Sequence, residues 1–298
     1  MNESTLINQL KQIFFCRSRE TVVGPGDDCA VLEFGGKYLL AAADQVIKNV
    51  HYLPDTPPEQ IASKLLKRNI SDIAAMGGIP RWALLTMAVN GRSEEWFQRF
   101  FAGLEDCARS YGVDIAGGDL GSLPEDGDCL SLTILGEVDR NSLCLRKNAH
   151  PGDFIVVTGQ LGNTFNSGHH LEFEPRLAEG RFLAENAFTG CMMDISDGLA
   201  ADLPKLLAES GCGAEIQLEK IPCRNNCTWQ QALSDGEDYE LLFTAAADKC
   251  ARLMECWPFA VPLSVIGIVN DKKSTLIYTE NGRNVPEVGV GGYEHFKA

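Results

Sequence analysis

Long apolar runs are missing from this chain of 298 residues. None approaches the ~20 residues that cross a bilayer as a helix. An excess of positive charge is missing as well: 26 Lys and Arg stand against 41 Asp and Glu, for a net charge of −15. Such a field repels nucleic-acid backbones and anionic membrane surfaces, so neither nucleic acid nor a membrane is an expected partner. Eleven cysteines are scattered through the chain, yet no two form a C-x-x-C pair. The closest two, Cys223 and Cys227, have no matching His or Cys pair downstream. Reduced thiols acting as small core hydrophobes are therefore expected, rather than a zinc site or a disulfide framework. The opening Met1-Asn2-Glu3-Ser4 is polar, with no basic start leading into an apolar run, and the expectation is a cytoplasmic protein. A G-x-x-x-x-G-K-[ST] phosphate loop is absent too.

What is present suits a folded chain of two domains. Apolar residues make up 45 % and charged residues 22 %, enough for a core in each half. Ser4–Phe15 has helical apolar spacing, and Cys29–Phe34 and Lys37–Ala43 flank Gly35-Gly36 as a hairpin. Thr56-Pro57-Pro58-Glu59 marks a helix start, with Thr56 the N-cap candidate, and that helix is expected to reach about Met76 before Gly77-Gly78. Arg81–Val89, Val113–Ala116 and Leu130–Val138 read as strands, and Glu94–Tyr111 as an amphipathic helix. The apolar pattern breaks around residues 139–153, which divides the chain into 1–139 and 140–298. Strands are expected in the second half near Phe154–Thr158, Met192–Ile195, Ala214–Leu218, Tyr239–Thr244 and Leu263–Val269. Helices near Ala178–Phe188, Leu199–Ser210 and Ala247–Cys256 alternate with them, so both halves are mixed α and β.

The acids recur at one kind of position. Asp28 follows a Gly-rich turn, Asp44 stands at an expected strand end, and Asp119 follows Gly117-Gly118. Asp194 and Asp197 flank Ser196 at a strand-to-helix switch, and Asp72 lies within a helix. Singly, each has a bland reading as a turn residue or a helix cap. Together they suggest a cleft of carboxylates, which is unfavourable unless cations screen it. Mg²⁺ takes oxygen ligands and joins a few carboxylates to substrate phosphates. An acidic chain without a phosphate loop can hold a triphosphate in that way.

These segments resemble the thiamine-monophosphate kinase family of the aminoimidazole-ribonucleotide synthetase-like superfamily. The resemblance runs in order through Gly26-Asp27-Asp28-Cys29-Ala30, Asp44 to Val50-His51-Tyr52, Asn69-Ile70-Ser71-Asp72-Ile73-Ala74-Ala75-Met76-Gly77 and Gly117-Gly118-Asp119. It continues through Arg146, Pro151-Gly152-Asp153, Asp194-Ile195-Ser196-Asp197-Gly198-Leu199, Gly236-Glu237-Asp238-Tyr239-Glu240-Leu241 and Gly292-Tyr293-Glu294-His295-Phe296. It implies transfer of the γ-phosphoryl group of ATP, with Mg²⁺, to thiamine monophosphate. By position it implies that Asp28, Asp44, Asp72, Asp119, Asp194 and Asp197 are metal ligands. Gly118, Asp119, Arg146 and Ser196 would contact ATP, and His51, Glu237 and Tyr293 would hold thiamine monophosphate. No catalytic side chain is implied, because an acceptor phosphate needs no general base. The implied fold is two-domain mixed α/β, with an N-terminal domain that pairs with a second copy in a barrel-like homodimer core and a C-terminal domain closing the cleft.

The chain departs from the family pattern near these sites. Ala42-Ala43, Gln45 and Leu120 stand where the family carries hydroxyl residues, and Lys48 is a candidate to replace a lost metal charge. Two alternatives follow: an ATP-dependent enzyme of the same superfamily with another acceptor, and a catalytically degenerate nucleotide-binding homologue.

Overall fold

The computed structural model describes residues 3–14, 16–225, 227–286, 288–289 and 291–293. Val290 and the terminal Glu294-His295-Phe296 segment lie outside them. Helix α1 (Glu3–Ile13) precedes strands β1 (Thr21–Val23), β2 (Ala30–Phe34) and β3 (Lys37–Ile47). Helix α2 (Pro58–Ala75), strand β4 (Ile79–Asn90), helix α3 (Glu94–Tyr111) and strands β5 (Asp114–Ser122) and β6 (Gly127–Val138) follow. The six strands form one sheet in the order β1-β2-β3-β6-β4-β5. β4 and β5 are its parallel pair, joined by α3 as a crossover.

Alternation in β4 buries Ala83, Leu85, Met87 and Val89 beneath the two long helices, against Ile61, Leu65, Phe100 and Leu104. Among the described residues no helix covers the opposite face. Trp82 and Leu84 remain exposed there, beside Leu135 and Thr133 of β6 and, one strand further, Ala41 and Ala43 of β3.

The rest of the chain contributes β7 (Phe154–Thr158), the short α4 (His169–Glu172), α5 (Leu177–Glu185), β8 (Cys191–Asp194), α6 (Leu199–Ser210) and β9 (Gly213–Gln217). It ends with α7 (Trp229–Ser234), β10 (Leu241–Ala245), α8 (Ala247–Cys256), β11 (Leu263–Asn270), β12 (Leu276–Glu280) and β13 (Arg283–Val285). Its seven strands are ordered β13-β12-β9-β11-β7-β10-β8, with β12 and β9 parallel. This sheet is covered on both sides. Ile155 and Val157 pack with Leu203 and Leu206 of α6, while Val156 between them packs with Leu183, Phe188 and Leu253.

Three expectations need correction. Thr56 does not cap α2: Pro57 holds the cap position without a side-chain bond, and the Thr56 hydroxyl accepts from the Leu53 amide instead. The two prolines pre-set the first turn, so no capping oxygen is needed. Asp44 does not end its strand, because β3 pairs with β6 as far as Ile47. Nor does Gly117-Gly118-Asp119 follow a strand, since β5 runs through it to Ser122. A register shift against Ala83 and Leu84 lets β5 continue. Gly118, at φ 152°, is compulsory there because a Cβ would lie 1.7 Å from the Leu85 carbonyl oxygen.

Candidate active site

Three acids from distant parts of the chain meet. Asp28 stands before β2, Asp72 in α2 and Asp194 at the end of β8, each offering a carboxylate oxygen within 4.8 Å of the others. Burial, and then the neighbouring charges of Asp194 and Asp44, hold the Asp72 carboxyl well above its usual range. Burial and the charge of Asp28 push Asp194 up to about 8, although the Ser71 hydroxyl donates to it at 2.6 Å. Burial and Asp28 likewise lift Asp27 to about 7. Arg146 supplies partial compensation, donating to both oxygens of Asp28 at 2.6 and 3.3 Å. Clustered hard oxygen donors whose ionisation is disfavoured by their own crowding fit a divalent cation such as Mg²⁺.

The other expected metal ligands are held differently. Asp44 contributes its charge to the cluster but receives the Nε hydrogen bond of Arg68, and its amide donates to Asn69 Oδ1. Asp197 accepts from Lys205 Nζ at 2.6 Å. Asp119 lies on exposed β5, opposite Thr86. Lys48 does not take up a metal's charge here, because its ammonium donates to both oxygens of Asp126 at 2.8 Å. Ala42 packs into the core and Ala43 lies on the bare sheet face.

Beside the cluster opens a cavity of about 430 Å³. His51, Ser196, Asp197, Glu237 and Tyr293, all singled out in the sequence, line it together with Arg68, Phe165, Asp235 and Tyr239. Two turns build one wall. Ser196 and Asp197 present their amides to the buried Asp202 carboxylate at 3.0 and 2.9 Å, and the Ser196 carbonyl accepts from the Glu237 amide. Gly198, at φ 96°, lets that turn approach the Leu233 carbonyl, which a Cβ would meet at 2.9 Å. Glu237 and Tyr239 both adopt left-handed backbone, at φ 64° and 52°. Such conformations in non-glycine residues persist only where neighbours impose them. Here Asp238 is tied to Arg224 at 2.8 Å and Glu240 to Arg176 at 2.6 Å, which leaves Glu237 and Tyr239 facing the cavity.

Sequence reasoning passed over Lys64, Arg68 and Asp202. Lys64 is wholly buried in α2 and donates to Glu237 Oε2 and the His51 carbonyl, both at 2.6 Å. Burial pulls its ammonium down to about 8 against the pull of Glu237. A signal did exist. Lys64, Arg68 and Ser71 are spaced four and three residues apart, so they share one face of a helix whose other buried positions are mostly apolar. His51 accepts the Ile47 amide at Nδ1 (3.0 Å), which assigns its proton to Nε2.

Residues 26–138 match the family described as AIR synthase related protein, N-terminal domain, and residues 150–279 its C-terminal domain. The thiamine-monophosphate kinase of Haemophilus influenzae is 31 % identical, with 100 % of this chain and 98 % of that protein covered. That of Bacillus subtilis is 32 % identical over 92 % of this chain and 94 % of its own length. A solved structure of AaThiL complexed with AMPPCP and TMP superposes with a TM-score of 0.83 at 27 % identity, covering 99 % of this chain and 97 % of that one.

Proposed function

The chain belongs to the thiamine-monophosphate kinase family, and on that premise we propose that it transfers the γ-phosphoryl group of ATP to the phosphate of thiamine monophosphate, giving thiamine diphosphate and ADP. The observation that carries this reading is the junction of two unlike environments, a knot of three carboxylates and a cavity of acids and aromatics. Thiamine monophosphate has the same division: a phosphate at one end and a cationic aromatic ring system at the other. Glu237, Asp235 and the rings of Tyr293 and Phe165 suit the cationic rings. The bound AMPPCP and TMP of the AaThiL structure support the same pair of substrates.

In the reaction an acceptor phosphate oxygen attacks the γ-phosphorus as the bond to the bridging β–γ oxygen breaks and ADP departs. The acceptor is already anionic, so no side chain has to remove a proton. Asp28, Asp72 and Asp194 would hold Mg²⁺, with Asp44, Asp119 and Asp197 as further ligands. Bound there, Mg²⁺ would screen the repulsion between two phosphorylated molecules and polarise the transferred group. Arg146, already fixed on Asp28, would contact the nucleotide with Gly118 and Ser196. His51 and Glu237 are positioned for the acceptor by one buried ammonium, that of Lys64.

The bare face of the first sheet supports a second copy of the chain as partner. Ala41, Ala43, Trp82, Leu84 and Leu135 form an apolar surface that no helix of the described residues covers. A homodimer core built there leaves 1–139 as the pairing domain and 140–298 as the domain that closes the cleft. All eleven cysteines are free thiols, which suits a reducing, cytoplasmic setting. An ADP-release assay with Mg²⁺, ATP and thiamine monophosphate tests the activity, with thiamine as the control acceptor. Turnover that needs the phosphorylated acceptor supports the proposal, and release of ADP indifferent to the acceptor rejects it.

A further inference from the structure

The cavity is short of positive charge. Three acids line it, Asp197, Asp235 and Glu237, and among its described lining residues one is a permanent cation, Arg68. Arg68 is 8 % exposed, and two of its three nitrogens are committed. Nε donates to Asp44, and Nη1 donates to the Gln45 carbonyl at 2.6 Å. Nη2 makes no hydrogen bond among the described residues. Burial of this guanidinium costs desolvation, which the neighbouring Tyr239, the charges of Asp44 and Glu237 and the hydrogen bond to Asp44 outweigh, so the cation is firmly held. A cationic ring system gains nothing from it and is repelled by it. A phosphate, in contrast, finds in Arg68 a planar donor whose orientation is already fixed from behind.

We propose that Arg68 is the specificity-determining contact for the acceptor's phosphate, donating through Nη2 while Asp44 and the Gln45 carbonyl hold the guanidinium by its other two nitrogens. This inference rests on the kinase reading and deepens it, because it says how the cavity tells a phosphate monoester from the parent alcohol. The alcohol forgoes the charge-assisted hydrogen bond that Nη2 offers a phosphate, and a donor already fixed for one group disfavours the ligand that lacks it. The same arrangement orients the acceptor. Its phosphate end lies at Arg68, next to Asp44 and the carboxylate knot, and its rings lie toward Glu237 and Asp235.

The test is calorimetric binding of thiamine monophosphate and of thiamine to the wild-type chain, Arg68→Met and Arg68→Lys, in Mg²⁺ and AMPPCP, with melting curves as the control for folding. Loss of a charge-assisted hydrogen bond should weaken thiamine monophosphate about 10- to 100-fold in Arg68→Met and leave thiamine within about 3-fold. Arg68→Lys keeps the charge but loses the planar fork, so a loss of about 3- to 10-fold confined to the phosphorylated ligand is expected. AMPPCP affinity should not change in either variant, which separates this role from general support of the fold. An Arg68→Met protein that keeps the wild-type preference, or weakens both ligands equally, overturns the inference and leaves the kinase reading intact. If Arg68→Met does not fold, Arg68→Lys decides, and a wild-type preference there overturns it. A wild-type chain that binds neither ligand overturns the inference and the kinase reading together.

Discussion

Helices wrap the seven-stranded sheet on both faces, whereas the six-stranded sheet carries α2 and α3 on one face and leaves Trp82, Leu84 and their neighbours open on the other. Successive residues of β7 show the first case, with Ile155 and Val157 in one core and Val156 in another. From Ala83 to Asn90 in β4 every second side chain is buried and the alternate ones are not. A strand buried on both faces finishes its packing within the chain; a strand buried on one face offers its other side to something else. The site lies where the two meet. Helix α2, on the covered side of the open sheet, sends Ser71 to Asp194 and Lys64 to Glu237, both from the second half. The open face thus remains free for a partner without disturbing the chemistry.

The contrast breaks most severely under charge. Val156→Asp places an unpaired carboxylate in a core closed on both sides and is expected to abolish the cooperative melting transition, a loss above ~4 kcal/mol. Leu84→Asp, an equally drastic exchange on the open face, should leave that transition in place and convert the proposed dimer to a monomer in sedimentation. Unfolding of both variants, or of neither, would erase the distinction between the sheets.

Next in size is Asp72→Asn at the junction. It should lower turnover by about 10²-fold or more, since a ligand that screens phosphate charge is lost. The same change removes a carboxyl whose ionisation burial and the neighbouring acids oppose, so the melting temperature without cations should rise, by ~2–4 °C per kcal/mol regained. Activity and stability moving in the same direction would count against a strained acid cluster.

A smaller effect is expected from Lys64→Met, which strands Glu237 without its partner across the junction. The Glu237 side chain is 23 % exposed, so water relieves part of the loss and the cost should be about 1–2 kcal/mol. KM for thiamine monophosphate should rise while KM for ATP holds, as initial-rate kinetics would report. Equal rises in both would assign Lys64 to the fold alone.

The gentlest probe is pH. Asp194 and Asp27 titrate near 8 and 7 in the folded chain, against an ordinary value of 3.8. Between those values the folded state keeps protons that the unfolded state has released, so cation-free stability should fall as pH rises from about 4 to about 8. Mg²⁺ competes with the same protons, and its stabilising effect should therefore grow over that interval. Melting curves from pH 5 to 8.5 with and without Mg²⁺ read both slopes; a shift independent of pH would disconnect the cation from these acids.

Much of this was legible in the residues. Phe154–Thr158 is an apolar run closed by a β-branched threonine and is found as β7, and the apolar spacing and flanking turns of Glu94–Tyr111 bound α3 correctly. The edge strand β5 was legible only as far as Ala116, because Gly117-Gly118 reads locally as a break. Only its pairing with β4, where Leu85 leaves no room for a side chain, turns those glycines into strand residues. Arg68 and Lys64 were passed over for a related reason. A charged residue on a helix is ordinarily solvated, and nothing nearby in the chain announces that its partners will be Asp44 and Glu237.

Periodicity, turn chemistry and the order of the acidic motifs sufficed for the mixed α/β class and the family, since both are written in residues close together in the chain. Which acids converge was decided by the tertiary structure alone. Asp28, Asp72 and Asp194 share one small volume, while Arg68 engages Asp44, Lys205 engages Asp197, and Asp119 stays on an exposed edge. The reason is physical. Carboxylates compete for a limited set of cations, and the outcome depends on distances of a few ångströms between segments that only the packed sheets bring together.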